Sequence, residues 1–129
     1  MTKMKRKSRF FTFTLGFILI GISFSGCEYE FIEFDDTPIT TEVSFKNDIV
    51  PIFNASCGFS GCHAAGAIPP ELTSERAYQS LFSNNMVTAN EPANSLLYTS
   101  IASGSMKKYS TAEQTKLIRA WIEQGALNN

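Results

Sequence analysis

The chain has 129 residues, 43% of them hydrophobic and 18% charged, with eleven basic side chains, twelve acidic ones and a single histidine. Five of the eleven basic residues (Lys3, Lys5, Arg6, Lys7 and Arg9) crowd the first nine positions, where no acidic residue stands. The rest of the chain therefore carries six basic against twelve acidic groups, a balance of −6, which excludes a basic surface for nucleic acid or for anionic lipid.

The basic start runs into an apolar stretch, Phe10 to Phe24, broken only by small or hydroxyl residues, and then into Ser25, Gly26 and Cys27. This is the layout of a secretory signal peptide over residues 1–26, a processing segment and not part of the fold. Phe24-Ser25-Gly26-Cys27 resembles a bacterial lipobox, so Cys27 is the expected site of lipidation and the new N-terminus. An uncleaved anchor is the competing reading, but the apolar stretch is barely long enough to span a bilayer. Three cysteines would leave an odd thiol in an exported protein. With Cys27 lipidated, Cys57 and Cys62 remain as a pair. The chain is thus expected in the cell envelope, attached to a membrane through Cys27, with its domain outside the cytoplasm.

Residues 27–43 read as the lipidated cysteine followed by an acidic tether. Glu28, Glu30, Glu33, Asp35 and Asp36 alternate with Tyr29, Phe31, Ile32 and Phe34, and Thr37-Pro38 interrupts regular structure. The same alternation also fits a short strand. Residues 44–129, about 86 in number, make one domain, a core so small that it gains from an internal staple.

Within that domain the apolar residues recur at helical spacing. Phe45, Ile49, Ile52 and Phe53 predict a first helix, with Asn47 as N-cap and Pro51 resetting its first turn. Thr73 or Ser74 caps a second, carrying Ala77, Tyr78, Leu81 and Phe82. Asn94 or Ser95 caps a third, with Leu96, Leu97, Tyr98 and Ile101, ending near Ser103-Gly104. The fourth opens on a capping box, Ser110-Thr111-Ala112-Glu113, presents Leu117, Ile118, Trp121 and Ile122, and stops at Gly125. The domain is therefore all-α, with about four short helices.

Chemistry concentrates between the first two helices, in Cys57-Gly58-Phe59-Ser60-Gly61-Cys62-His63. A C-x-x-C-H run is the attachment signature of c-type haem. Two thiols add across the porphyrin vinyl groups, and the imidazole after the second cysteine falls under the iron. Here the run is C-x4-C-H, so two extra residues must loop outward, which Gly58, Ser60 and Gly61 permit. The alternatives are a disulfide loop between Cys57 and Cys62, a zinc site made with His63, and a plain surface histidine. Zinc is the weakest, since the adjacent Cys62 and His63 side chains diverge and no further ligand stands nearby. No Ser/His/Asp set or other catalytic constellation appears.

If haem is held, a second histidine ligand is impossible within this chain. Methionine is the other common axial ligand, and beyond the signal segment only Met86 and Met106 remain. Met86 lies in the Asn84-Asn85-Met86-Val87 loop. Met106 lies in the Ser103-Gly104-Ser105-Met106-Lys107-Lys108 loop before the last helix.

Residues 45–126 as a whole resemble the small monohaem c-type cytochrome domains called planctomycete-type, which are common on Bacteroidetes lipoproteins. The resemblance runs in order through Asp48-Ile49-Val50-Pro51-Ile52-Phe53, the Cys57, Cys62 and His63 motif, Leu72-Thr73-Ser74 and Ala77-Tyr78. It continues through Glu91-Pro92-Ala93-Asn94-Ser95-Leu96-Leu97-Tyr98, Ile101 and Ser103-Gly104-Ser105-Met106, and closes with Leu117 to Ala126. It implies a cytochrome c-like bundle around one covalently attached haem c, with Cys57 and Cys62 as thioether sites, His63 as proximal and Met106 as distal ligand. The implied function is single-electron carriage between redox partner proteins in the envelope, without enzyme activity of its own. Two places depart from the pattern: the C-x4-C-H spacing, and Lys107 where a proline commonly follows the methionine. A haem-free, disulfide-closed binding module and a haem sensor or peroxidase-like site with an open distal position are the other function classes.

Overall fold

The computed structural model describes residues 37–129. The signal segment 1–26, the lipidation site Cys27 and the acidic run Glu28 to Asp36 lie outside the described residues. Among the described residues there are four α-helices and no strand: α1 Val50–Ser56, α2 Ala77–Ser83, α3 Leu96–Ala102 and α4 Ala112–Glu123. Short 3-10 turns, Pro92–Asn94 and Lys107–Tyr109, lead into α3 and α4. No helix among the described residues is long and apolar enough to cross a membrane.

The first helical segment opens as a π-helical turn, Phe45–Ile49, that runs straight into α1. Its cause is Pro51, which has no N–H to give to the ladder. The bonds just before it widen, with the Val50 N–H donating to the Phe45 carbonyl instead of one residue nearer. Asn47 is not the cap. Ser44 is: its hydroxyl accepts the Asn47 N–H at 3.1 Å, while Asp48 Oδ2 accepts the Ser44 N–H at 2.7 Å. The cap falls earlier than the sequence pattern suggests because the wide turn adds residues ahead of the proline.

The second helix also starts away from its expected cap. Thr73 and Ser74 lead a turn, and regular helix begins at Ala77. Both side chains are engaged elsewhere, the Thr73 hydroxyl donating to Glu71 at 2.9 Å and Ser74 meeting Asn54 at 3.1 Å. Ser95 precedes α3 but makes no side-chain cap. Fully buried, its hydroxyl instead accepts the Thr88 N–H at 2.9 Å and faces the Thr88 and Glu91 carbonyls.

α4 carries the capping box one residue later than Ser110-Glu113. Thr111 accepts the Gln114 N–H at 3.2 Å and Gln114 Oε1 accepts the Thr111 N–H at 3.0 Å. At the far end Gly125 takes φ +98°, the Ala126 N–H reaches the Trp121 carbonyl, and the Gly125 N–H reaches that of Ile122. That is a Schellman termination, and it needs glycine at the left-handed position.

α4 is the organising helix. Ile118, Ala120, Trp121 and Ile122 are buried along it. Trp121, fully buried, lies 5.1 Å from the Phe45 ring and 6.5 Å edge-on from Tyr78. Its indole N–H donates to the Leu127 carbonyl at 2.9 Å, and the Tyr78 hydroxyl donates to that of Ala126 at 3.0 Å. Phe53 closes the cluster 6.2 Å from Phe45. Trp121 is thus a core residue with its polar atom satisfied. The packed body starts ahead of Ser44: Val43 is buried, Ile39 packs on the core, and Gln124 receives the Val43 N–H and donates to the Ile39 and Thr41 carbonyls. Asn129 completes this clasp through the Phe45 and Lys46 N–H groups.

Candidate functional site

The stretch from Cys57 to His63 follows directly from the end of α1. The Phe53 carbonyl accepts both the Cys57 N–H at 2.9 Å and the Gly58 N–H at 2.7 Å, closing the helix and turning the chain out. A tight turn then brings the Cys62 N–H to the Phe59 carbonyl at 2.9 Å, and the His63 N–H returns to the Cys57 carbonyl at 3.2 Å. The four residues between the cysteines therefore bulge outward, while the backbones of Cys57 and His63 meet at the base of the loop. Gly61 permits this with φ +82° and open space around it. Gly58 serves differently: a Cβ there would stand 3.0 Å from the Leu72 carbonyl oxygen and 3.4 Å from that of Phe53.

Both cysteines are free thiols, Cys57 half-buried and Cys62 exposed. Burial pushes the Cys57 thiol above its ordinary value, and the neighbouring Cys62 adds to the shift. Among the described residues no three His, Cys, Asp or Glu side chains converge to hold a metal ion.

His63 is half-buried and its ring is fixed. Nδ1 lies 2.9 Å from the Ile68 carbonyl oxygen and 3.0 Å from that of Pro70. A carbonyl only accepts, so Nδ1 must carry the hydrogen and share it between the two. In the neutral ring Nε2 then keeps its lone pair. The loop that supplies these acceptors is itself tied down, by the Ile68 N–H to the Cys62 carbonyl at 3.0 Å and the Leu72 N–H to the His63 carbonyl at 2.8 Å. Sequence reasoning missed both acceptors. They are main-chain atoms five and seven residues downstream, and no residue type announces them.

The two methionines occupy unlike places. Met86 packs against the core, its N–H bonded to the Leu81 carbonyl and its carbonyl to the Leu97 N–H. Met106 is 37% exposed and heads the Lys107–Tyr109 turn. The segment before it is a tight reversal, not an open loop. Gly104 presses on the last turn of α3, where a Cβ would meet Ser100 Cα at 2.9 Å, and the Met106 N–H donates to the Ser100 carbonyl at 3.1 Å.

Gln114 links the start of α4 to the end of α1. Its Oε1 holds the Thr111 N–H while its Nε2 lies 3.5 Å from the Ser56 hydroxyl. Ser56 immediately precedes Cys57, so Gln114 in the first turn of α4 reaches the end of α1 where the motif begins. On the motif loop and the segment that follows it, large apolar side chains stay out of the core, Phe59 at 52% and Ile68 at 60% exposure.

The described residues offer two free thiols and one oriented imidazole with an available nitrogen on a single loop, and one exposed methionine on a separate segment. No protein-family model, curated protein or solved structure matches this chain.

Proposed function

We propose that the protein is a monohaem c-type cytochrome that carries single electrons between redox partners at the cell envelope. One observation carries the reading: His63 Nδ1 is committed to the Ile68 and Pro70 carbonyls, which leaves Nε2 as the ligating atom. Histidines that bind metals are commonly oriented in this way, because the second hydrogen bond fixes both tautomer and ring plane. A histidine that merely faced solvent would have no need of two main-chain acceptors on one ring nitrogen.

The residues fit haem c in type and in condition. Cys57 and Cys62 are free thiols flanking an outward loop, suited to two thioether bonds. His63 would be the proximal ligand and Met106 the distal one. Met86 packs against the core, whereas Met106 is exposed. The haem would supply a ferric–ferrous couple whose potential methionine ligation raises. The chain's own part would be to hold the imidazole and to fix the approach of a partner. The cytochrome c-like bundle, the signal segment 1–26, lipidation at Cys27 and the envelope location belong to the same proposal.

Co-expression of the full chain with a haem c maturation system, followed by a haem stain of denatured protein, tests it. Covalent haem is the expected result, reduced or lost in Cys57→Ser and Cys62→Ser. A denatured chain without stain rejects the cytochrome and favours the disulfide-closed binding module.

A further inference from the structure

A groove opens between the first helical segment and α2, with Asn128 at its edge. None of Cys57, Cys62, His63 or Met106 lines it, so it is separate from the motif. Its volume is about 470 Å³. At about 30 Å³ per water, that is room for about fifteen water-sized groups, the scale of a small organic molecule.

The lining divides by burial. Phe45 is buried and Tyr78 and Val50 are half-buried, which makes an apolar floor. The Phe45 and Tyr78 rings meet edge-on with centroids 5.2 Å apart. The Tyr78 hydroxyl is spent on the Ala126 carbonyl at 3.0 Å, so its ring leaves only hydrocarbon to a ligand. Behind the floor Phe45 lies 5.1 Å from Trp121, and Tyr78 lies 4.8 Å from Phe82, so the floor is preformed. Lys46, Glu75, Gln79 and Asn128 are exposed and make the rim. Among the described residues no hydrogen bond or ion pair occupies any of these four side chains. Ser74, also on the rim, differs, since its hydroxyl is taken by Asn54 at 3.1 Å. One ammonium, one carboxylate and two amides thus border a hydrocarbon floor without partners of their own.

We propose that this groove binds a small zwitterion with an aromatic body, of the kind an aromatic amino acid provides. The ring lies on Phe45, Tyr78 and Val50, the carboxylate meets Lys46, and the ammonium meets Glu75. Burial of the ring against aromatic side chains supplies the attraction, and the opposite charges fix its orientation. An anion with the same body gains Lys46 but meets Glu75 as a like charge, and a cation has the reverse difficulty. Only the zwitterion satisfies both. The Gln79 and Asn128 amides each offer donors and an acceptor, so they serve either end. This site goes beyond the electron-carrier reading and does not rest on it.

The test is titration of the isotope-labelled full chain, read from amide shifts in two-dimensional NMR, with three probes that share one body. They are L-phenylalanine, 3-phenylpropionate and 2-phenylethylamine. L-Phenylalanine is expected to shift the amides of residues 45–50 and 74–79 saturably. Its roughly twelve non-hydrogen atoms set the midpoint near about 2 mM. It should bind about fivefold more tightly than either singly charged probe, the upper worth of one exposed ion pair. Lys46→Met should weaken L-phenylalanine and 3-phenylpropionate about fivefold and leave 2-phenylethylamine no weaker, while Glu75→Gln should weaken L-phenylalanine and 2-phenylethylamine and spare 3-phenylpropionate. Equal midpoints for the three probes, shifts centred on other residues, an absence of saturable shifts, or equal weakening of all three probes by both variants would each overturn the proposal. A negative haem stain rejects the electron carrier and leaves the groove standing, since no motif residue lines it.

Discussion

Gly58 is the position at which one methyl group tests how the motif is supported. An alanine Cβ would stand 3.0 Å from the Leu72 carbonyl oxygen and 3.4 Å from that of Phe53. Both obstacles are backbone, and both are tied: Phe53 accepts two N–H groups, and the Leu72 N–H is held 2.8 Å from the His63 carbonyl. Neither can swing aside as a side-chain tip could, so relief must come from moving the Leu72 segment away from His63. Overpacking of this kind costs about 1–3 kcal/mol. For a domain near 90 residues each kcal/mol is worth roughly 4–8 °C in Tm, so Gly58→Ala should melt about 8–16 °C below the parent at a cost near 2 kcal/mol. Gly61 supplies the control. It has open space but φ +82°, so Gly61→Asn, which tolerates that backbone, should stay within about 0.5 kcal/mol while Gly58→Asn is at least as harmful as alanine. The assay is urea and thermal unfolding of the four chains followed by circular dichroism. If Gly58→Ala matches the parent, or if Gly61→Asn is the worse of the two asparagine variants, close approach at Gly58 is not what the loop requires.

Other outcomes are as definite. Ser95→Ala leaves the Thr88 N–H without its 2.9 Å acceptor in a fully buried place and should cost about 1–3 kcal/mol in chemical denaturation, a loss that Ser103→Ala, at an exposed site, should not show. In the haem-loaded chain, Met106→Ala should abolish the low-spin ferric spectrum and lower the potential, while Met86→Ala should leave the spectrum intact and only weaken packing. A parent that is already five-coordinate and high-spin, and indifferent to Met106→Ala, would favour the sensor or peroxidase-like site. In the haem-free chain, iodoacetamide followed by mass spectrometry should modify exposed Cys62 before Cys57 at about pH 7.5, with the gap narrowing by about pH 9.5; equal rates at the lower pH would contradict the burial of Cys57. The folded chain holds the Cys57 proton more tightly than the unfolded one does. This contribution to stability is complete below about pH 8.5 and drains away as pH rises through the higher folded value.

How far the sequence speaks depends on how local each determinant is. α4 is legible almost whole, because the spacing of Ile118, Trp121 and Ile122 and the stop at Gly125 act within one helix. Its cap is ambiguous for an equally local reason: Ser110-Glu113 and Thr111-Gln114 satisfy the same rule, and the folded chain takes the second. Phe45, Ile49 and Phe53 mark a helical segment, but the wide turn ahead of Pro51 moves its cap from Asn47 to Ser44. In the site, Cys57, Cys62 and His63 are marked by residue type, and so is Met106. The orientation of the imidazole is not, since it depends on where the chain from Ala64 to Pro70 returns. Gly58 belongs to the same class. Its glycine reads as loop freedom, yet what excludes a side chain is a stretch of backbone arriving from Leu72.

The clasp formed by Val43, Gln124 and Asn129 has a mechanical consequence. It sits at the C-terminal end of α4, whereas the Gln114–Ser56 bridge sits at the other end, ten residues or about 15 Å away along the axis. Force applied to the chain at Ile39 therefore meets the hydrogen bonds of the clasp first. The imidazole and the two thiols follow Ser56, the partner of the opposite end of α4, so such a force acts on the clasp before it acts on them.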